Sequence, residues 1–341
     1  MKAVGCTHPL PITESDSLQD RELPKPESRG RDLLVRVEAV SVNPVDTKIR
    51  RSPAAEHQEG EVRVLGWDVA GVVDSVGSDV NLFQVGDEVY YSGSLIRPGA
   101  NSEYHVVDER LVALKPASLN MAQAAALPLT AITAYEALFD RLGISQQGGS
   151  EGKTILIIGG AGGVGSLAIQ LAKVAKLHVI ATASRPESQA WCRKMGADEV
   201  INHTQSIPDQ LQQVHRPMVE YILNTSQADQ HWQAMCEAIK PQGCICGIVE
   251  TAESIDLNAL KRKSATFVWE FMFTRSMYQT EDMVEQHHLL ARIAEWVDAQ
   301  KIHSTLTECL SPINAENLRT AHAKIESGRM IGKLVLTGWA S

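Results

Sequence analysis

Thr154-Ile155-Leu156-Ile157-Ile158-Gly159-Gly160-Ala161-Gly162-Gly163-Val164-Gly165-Ser166-Leu167-Ala168-Ile169-Gln170-Leu171-Ala172 is the stretch that decides the fold of this 341-residue chain. Ile155 to Ile158 reads as a buried strand, and Gly163 to Ala175 as an amphipathic helix. Between them stands a G-x-G-x-x-G match, and the strand–turn–helix setting raises it above chance. Gly160 is expected to permit the tight turn, Gly162 to let the backbone approach a pyrophosphate, and Gly165 to allow close packing of helix on strand. Ala161, Gly163 and Val164 complete the loop. Unpaired N–H groups and the helix dipole there favour phosphate. The alternative is a glycine-rich turn that holds no ligand.

Downstream, strands and helices alternate. Strands are expected at Leu177 to Ala183, Glu199 to Ile201, Tyr221 to Asn224 and Cys244 to Val249. Pro186 fits the first turn of a helix ending at Gly196, and His231 to Ile239 fits a helix between the last two strands. Such alternation implies a parallel, doubly wound sheet. Ligands of such sheets lie at the strands' carboxyl ends, which nominates Asn224, Thr225, Gly247 and Ile248. An NAD site usually carries an acidic residue about 20 positions after the glycine loop. Ala181-Thr182-Ala183-Ser184-Arg185 has none, and offers the Ser184 hydroxyl and the Arg185 guanidinium instead. Charge-assisted bonds from Arg185 to a 2′-phosphate would contribute roughly 1.5–3 kcal/mol, which favours NADPH. Otherwise Arg185 is a solvated residue at a helix start.

Upstream the texture is β. Val35, Val37 and Ala39 alternate with Arg36, Glu38 and Val40 as on a half-buried strand, Leu65 to Val76 and Asp87 to Ser92 follow, and Asn101 to Leu114 completes a barrel-like set of short strands. Asn120 with Gln123 resembles a capping box for a helix that Pro128 interrupts, and a second helical run spans Thr130 to Leu142. The tail reads as a strand near Phe267, helices from Asp282 to Ala299 and Leu318 to Glu326, and a last strand Lys333 to Leu336. Lys plus Arg is 32 and Asp plus Glu is 41, so the net charge of −9 argues against nucleic acid or anionic membrane as partners. No window reads as a membrane span or a signal peptide. Six cysteines without C-x-x-C spacing suit a reduced, cytoplasmic protein. Cys244 and Cys246 alternate on one strand, as buried packing or, alternatively, as a redox pair.

Taken together, Ser41-Val42-Asn43-Pro44-Val45-Asp46, Gly66-Trp67-Asp68-Val69-Ala70-Gly71-Val72-Val73, Gly86-Asp87-Glu88-Val89, Leu127-Pro128-Leu129-Thr130-Ala131-Ile132-Thr133-Ala134, the glycine loop and Gly332-Lys333-Leu334-Val335-Leu336 resemble the medium-chain dehydrogenase/reductase superfamily. Within it the chain looks most like the quinone oxidoreductase branch. Trp269-Glu270-Phe271-Met272-Phe273 is similar to a subgroup called zinc-type alcohol dehydrogenase-like. The resemblance implies an α/β chain: a GroES-like β-barrel catalytic domain over 1–123 and 266–341, and a Rossmann domain over 124–265. It also implies a homodimer joined at the edge of the dinucleotide sheet, with Cys244 to Val249 as the candidate edge.

Zinc alcohol dehydrogenases hold their metal with Cys, His and Cys. Here Asn43 and Trp67 fall at the first two positions, no cysteine stands near Pro128 and Leu129, and Tyr90 to His105 lacks the four-cysteine lobe. Neither Trp nor Asn substitutes at a tetrahedral zinc site, so a zinc-free enzyme is expected. The resemblance places Asn43 and Asp46 beside the nicotinamide, with Asn43 as a donor to substrate oxygen or ribose. Lys48 aligns with a proton-relay histidine, and is a proton donor, a ribose ligand or a solvated residue. Thr130 would contact the nicotinamide and Tyr91 the substrate cleft. His203 stands where relatives carry a Tyr near the adenosine phosphate. Lys333 either approaches the 2′-phosphate or is a solvated strand residue. Phe267, Trp269, Phe271 and Phe273 recur with period two and are expected on one strand face. With Trp67 they would wall a slot for planar substrates, or else serve core or interface packing. Without a metal, hydride addition to a quinone or enone is the accessible chemistry. The alternatives are a zinc-type alcohol or aldehyde dehydrogenase and an NADPH-binding redox sensor with little turnover.

Overall fold

The computed structural model describes residues 1–52 and 61–339. The chain divides into two compact units, Met1–Leu129 with Phe273–Ser341, and Thr130–Met272.

The first unit is built on a seven-stranded sheet in the order Leu306–Leu310, Lys333–Thr337, Asp32–Ser41, Asp68–Val76, Glu88–Ser92, Val112–Leu114, with Tyr104–Asp108 also pairing with Asp32–Ser41. The long strand Asp32–Ser41 can serve three neighbours because register shifts at Leu34/Val35 and Val37/Ala39 bend it. Ser41, Asp68 and Ser92 lie directly opposite one another across adjacent strands, so their side chains share one face. A three-stranded sheet, Gln19–Glu22, Lys2–Cys6 and Arg63–Val64, stands beside it.

The second unit holds a six-stranded sheet in the order Glu199–Ile201, His178–Thr182, Thr154–Ile158, Val219–Asn224, Ile239–Gly247, Thr266–Trp269. Every neighbouring pair is parallel, as the alternating sequence demands. Thr154–Ile158 is buried along its length at the centre. The sheet grows from it in both directions, which puts the switch point at its carboxyl end. One side of the core packs Leu156, Ile180, Ile222 and Ile245 with Trp232 and Met235 from the helix Ala228–Ala238. Lys263 closes that helix, its Nζ donating to the carbonyls of Cys236, Glu237 and Ile239.

Several local expectations are corrected. The second helix begins at Pro128 itself, at the helical start where a missing N–H costs nothing, and beyond Tyr135 it widens into a π-turn over Glu136–Arg141. Cys244 to Val249 is not a sheet edge, because Ile239–Gly247 is flanked on both sides. The edge on that side is Thr266–Trp269, which the sequence-based boundary put in the other domain. Burial raises the thiol pKa of both Cys244 and Cys246, leaving neither as a ready thiolate, so packing accounts for the pair. Among the described residues no helix is long and apolar enough to cross a membrane.

Candidate active site

In the second unit the glycine loop connects Thr154–Ile158 to the helix Gly163–Val174, with Gly162 at the helix cap. The glycines divide their work differently from expectation. The turn is made at Gly159, whose φ of +84° is left-handed and whose N–H donates to Thr182 Oγ1. Gly160 instead packs closely, since a Cβ there would stand 2.8 Å from Ala181 Cβ. Gly165 lies where a Cβ would meet Gly159 O at 2.3 Å, the close helix–strand approach expected of it. A Cβ on Gly162 would meet only Gly159 O, at 3.6 Å, so open space adjoins the helix start. Gly163, Val164 and Gly165 present first-turn N–H groups toward that end of the helix. This cradle fits a pyrophosphate.

Around the loop, Thr225 Oγ1 donates to Ile158 O at 2.8 Å, so its hydroxyl braces the loop. Asn224 is fully buried; its Oδ1 accepts from Ser226 N, while Nδ2 has no protein partner. Ile248 N donates to Asn224 O. Gly247 makes room for aromatics, because a Cβ there would stand 3.1 Å from Phe267 and Trp269. Ser184 and Arg185 follow the strand His178–Thr182, and Arg185 Nε lies 3.3 Å from Glu187 at a half-exposed helix start. His203 is half-buried with Nδ1 unpartnered, its ring 6.1 Å from His231. Thr130 is buried. These residues surround the end of the sheet where a dinucleotide would lie.

A second constellation lies in the first unit. Asn43 caps the helix Pro44–Arg51, and Asp46 returns to the Asn43 N–H at 2.6 Å. Lys333 opens the strand Lys333–Thr337; its Nζ donates to Asp68 Oδ2 at 3.0 Å, to Asn43 Oδ1 and to Val42 O. Asn43 Nδ2 donates to Asp68 Oδ2 at 2.8 Å, and Leu129 N donates to Asp68 Oδ1 at 2.6 Å. All four side chains are buried. Burial pushes the Asp46 carboxyl up to about 7 against the lowering effects of the Asn43 N–H and Lys333, and Asp46 Oδ1 has no partner. The Lys333 ammonium spends its three donors on these acceptors, which leaves none for the expected contact with a 2′-phosphate. Lys48 is exposed on the same helix as Asp46.

Asp68 was not singled out by the sequence. Its only signal was a place beside Trp67 in the Gly66-Trp67-Asp68 run, and its use depends on the pairing that sets it opposite Ser41 and Ser92.

The aromatic wall is corrected. The strand ends at Trp269, so only Phe267 and Trp269 share its face, ring centroids 4.8 Å apart. Phe271 lies beyond the strand, and Phe273 belongs to the first unit, where it meets buried Trp67 edge-on at 6.3 Å. Tyr91 does not reach a cleft either. It is fully buried, with its hydroxyl 2.9 Å from His105 Nδ1. His105 Nε2 faces Pro98 O, which only accepts, so Nε2 carries the ring proton and Nδ1 takes that of Tyr91. Burial drives His105 down to about 4 and Tyr91 well above its ordinary value, so both stay neutral.

The zinc of the related alcohol dehydrogenases does not fit these residues. Asn43 is committed to Lys333 and Asp68, and Trp67 spends its indole N–H on Ser94 O with no lone pair to offer. Among the described residues no three His, Cys, Asp or Glu side chains are grouped to hold a metal.

Comparisons with known proteins agree with this architecture. Residues 29–117 match the alcohol dehydrogenase GroES-like domain, and residues 163–287 match the zinc-binding dehydrogenase family. A zinc-type alcohol dehydrogenase-like protein of Staphylococcus aureus is 44% identical over 337 residues, covering 98% of this chain and 99% of its own. A mitochondrial NAD(P)H oxidoreductase of Mus musculus is 33% identical, covering 89% of this chain and 81% of its own. Among solved structures, a Rhizobium etli protein assigned to the zinc-dependent alcohol dehydrogenases shares 48% identity at a TM-score of 0.95, covering 100% of this chain and 99% of its own. The quinone oxidoreductase of Coxiella burnetii shares 28% at 0.80, covering 99% of each. The chain belongs to the zinc-type alcohol dehydrogenase-like family within the medium-chain dehydrogenase/reductase superfamily, and is an oxidoreductase of that kind.

Proposed function

We propose that this oxidoreductase uses NADPH to reduce quinones or α,β-unsaturated carbonyls without zinc. One observation carries the reading: Asn43 and Trp67 stand at the family's metal-ligand positions, and both are already bonded within the protein. Activation of the acceptor then falls to hydrogen bonds and fixed charge. These suffice where the charge brought by hydride spreads onto a conjugated oxygen, and serve poorly for a simple aldehyde or alcohol. The glycine loop would hold NADPH, with Arg185 on its 2′-phosphate, and the cofactor when bound would supply the hydride. The chain's own groups do the rest. Asp46, buried and with one carboxyl oxygen unpartnered, holds a proton near neutral pH for the reduced substrate, so hydride plus proton completes the addition. Lys48, exposed, is the second candidate donor.

The test is NADPH consumption with a panel of quinones, enones and simple aldehydes, before and after chelation, with product analysis. Hydroquinone or saturated carbonyl products at chelator-independent rates are expected. Zinc-dependent turnover of aldehydes alone would overturn the reading, and NADPH binding without turnover of any acceptor would favour a sensor.

We further propose a homodimer paired through Thr266–Trp269. Trp269 is 47% exposed and Phe271 46% exposed at this sheet edge, an apolar surface that suits a second copy. Six unpaired cysteines suit a reducing, cytoplasmic setting.

A further inference from the structure

We propose that Lys333 is a positioning residue of the reaction centre: its buried ammonium fixes the orientation of the Asn43 amide and balances Asp68 beside Asp46. The inference rests on the reading above, in which Asp46 serves the reaction, and on the place beside the nicotinamide that the family resemblance implies for Asn43. An ammonium has donors only, so the Asn43 atom it meets is the carbonyl oxygen; this turns Nδ2 onto Asp68, the acceptor on the other side. With Lys333 removed, Asn43 Oδ1 would lose this donor, and the amide would be held from its Nδ2 side alone, by Asp68 Oδ2 and Ser41 O. Charge is the second part of the role. Asp46 and Asp68 are two buried carboxyls facing one cation, and the Asn43 and Gly66 N–H groups also point at Asp46. On the Asp46 helix, Lys48 is exposed, Arg51 Nε turns back to Thr47 O, and Arg50 is spent on Leu10 O and on Glu326 of the helix Ala315–Glu326. Lys333 is therefore the cation that acts on Asp46, opposing the burial that lifts its carboxyl.

The test compares Lys333→Met, Lys333→Met/Asp68→Asn and wild type over pH 5–9. In K333M the alkaline limb of kcat moves up by about one unit, as expected for a carboxyl losing its cation. In the double variant the limb returns toward its wild-type position, while kcat stays down by about tenfold or more and KM for NADPH is little changed. Should K333M fail to fold, the neutral double variant carries the test. An unmoved limb in folded K333M, wild-type kcat in the double variant, or a raised KM for NADPH with kcat intact would overturn the assignment. If no acceptor is turned over, which defeats the parent reading instead, the same shift is read from the pH dependence of thermal unfolding of the protein without substrate; no shift there overturns the positioning role.

Discussion

Gly162 and Gly165 sit in one loop, yet substitution should separate them cleanly. A methyl group at Gly165 would press against Gly159 O and the Gly160 backbone, neither of which can move aside, so Gly165→Ala should destabilise by roughly 1–3 kcal/mol. At Gly162 the methyl enters open space, so Gly162→Ala should unfold near the wild-type temperature while losing about tenfold or more in NADPH affinity. Thermal unfolding and a fluorescence titration with NADPH read both, and equal affinities for wild type and G162A would deny that the space holds a phosphate. Arg185 poses the companion question of which dinucleotide is bound. Its partner Glu187 is an exposed neighbour, and a pair of that kind is worth little, so a phosphate could displace it. Arg185→Ala should raise KM for NADPH by about 10- to 100-fold and leave that for NADH nearly unchanged. Equal effects on the two would remove the argument for a 2′-phosphate.

At the scale of elements, legibility followed the range of the interactions. The glycine loop, the strand before it and the helix after it were readable because their signals are local: apolar runs, glycines at fixed offsets, and Pro186 at a helix start. The aromatic run misled because period two says which face a residue takes and nothing about where the strand stops. It stops at Trp269, and the next residue, Glu270, is drawn in by Arg141 Nε at 2.8 Å and by Glu136, partners more than a hundred residues away. Lys333 was misjudged for the same reason, since its acceptors lie on two distant strand ends. The edge strand also sets a prediction. Replacing Trp269 and Phe271 together by Ser removes most of the apolar surface at that edge without touching the sheet's central strands. Sedimentation should then show a dimer shifting to a folded monomer at micromolar concentration. An unchanged dimer would place the interface elsewhere, and a wild type that is monomeric would remove the proposed association altogether.

Response to pH belongs to the whole molecule, because its displaced groups are spread over both units and act in opposite directions. His105 and His322 are buried neutral, driven down to about 4 and about 3 by burial from an ordinary 6.5. Their contribution is present above 6.5 and is lost as pH falls through those values. Asp46 and Glu270 are displaced the other way. Burial lifts Asp46 from 3.8 to about 7, and burial, followed by Glu136, lifts Glu270 from 4.5 to about 9. A carboxyl held protonated in the fold stabilises fully below its unfolded value, and that contribution is lost as pH rises through the folded one. Between 4.5 and 6.5 the two histidines gain what the two carboxyls lose, so stability should be nearly level. Above 6.5 only the losses continue, and beyond about 7 Glu270 is the one of these four still titrating. Glu270→Gln isolates it: the amide still donates to Glu136 and cannot ionise. Its unfolding temperature should therefore hold between pH 7 and 9, where that of the wild type declines. Parallel curves for the two proteins would mean that the decline arises in some other group and that Glu270 is already ionised at neutral pH.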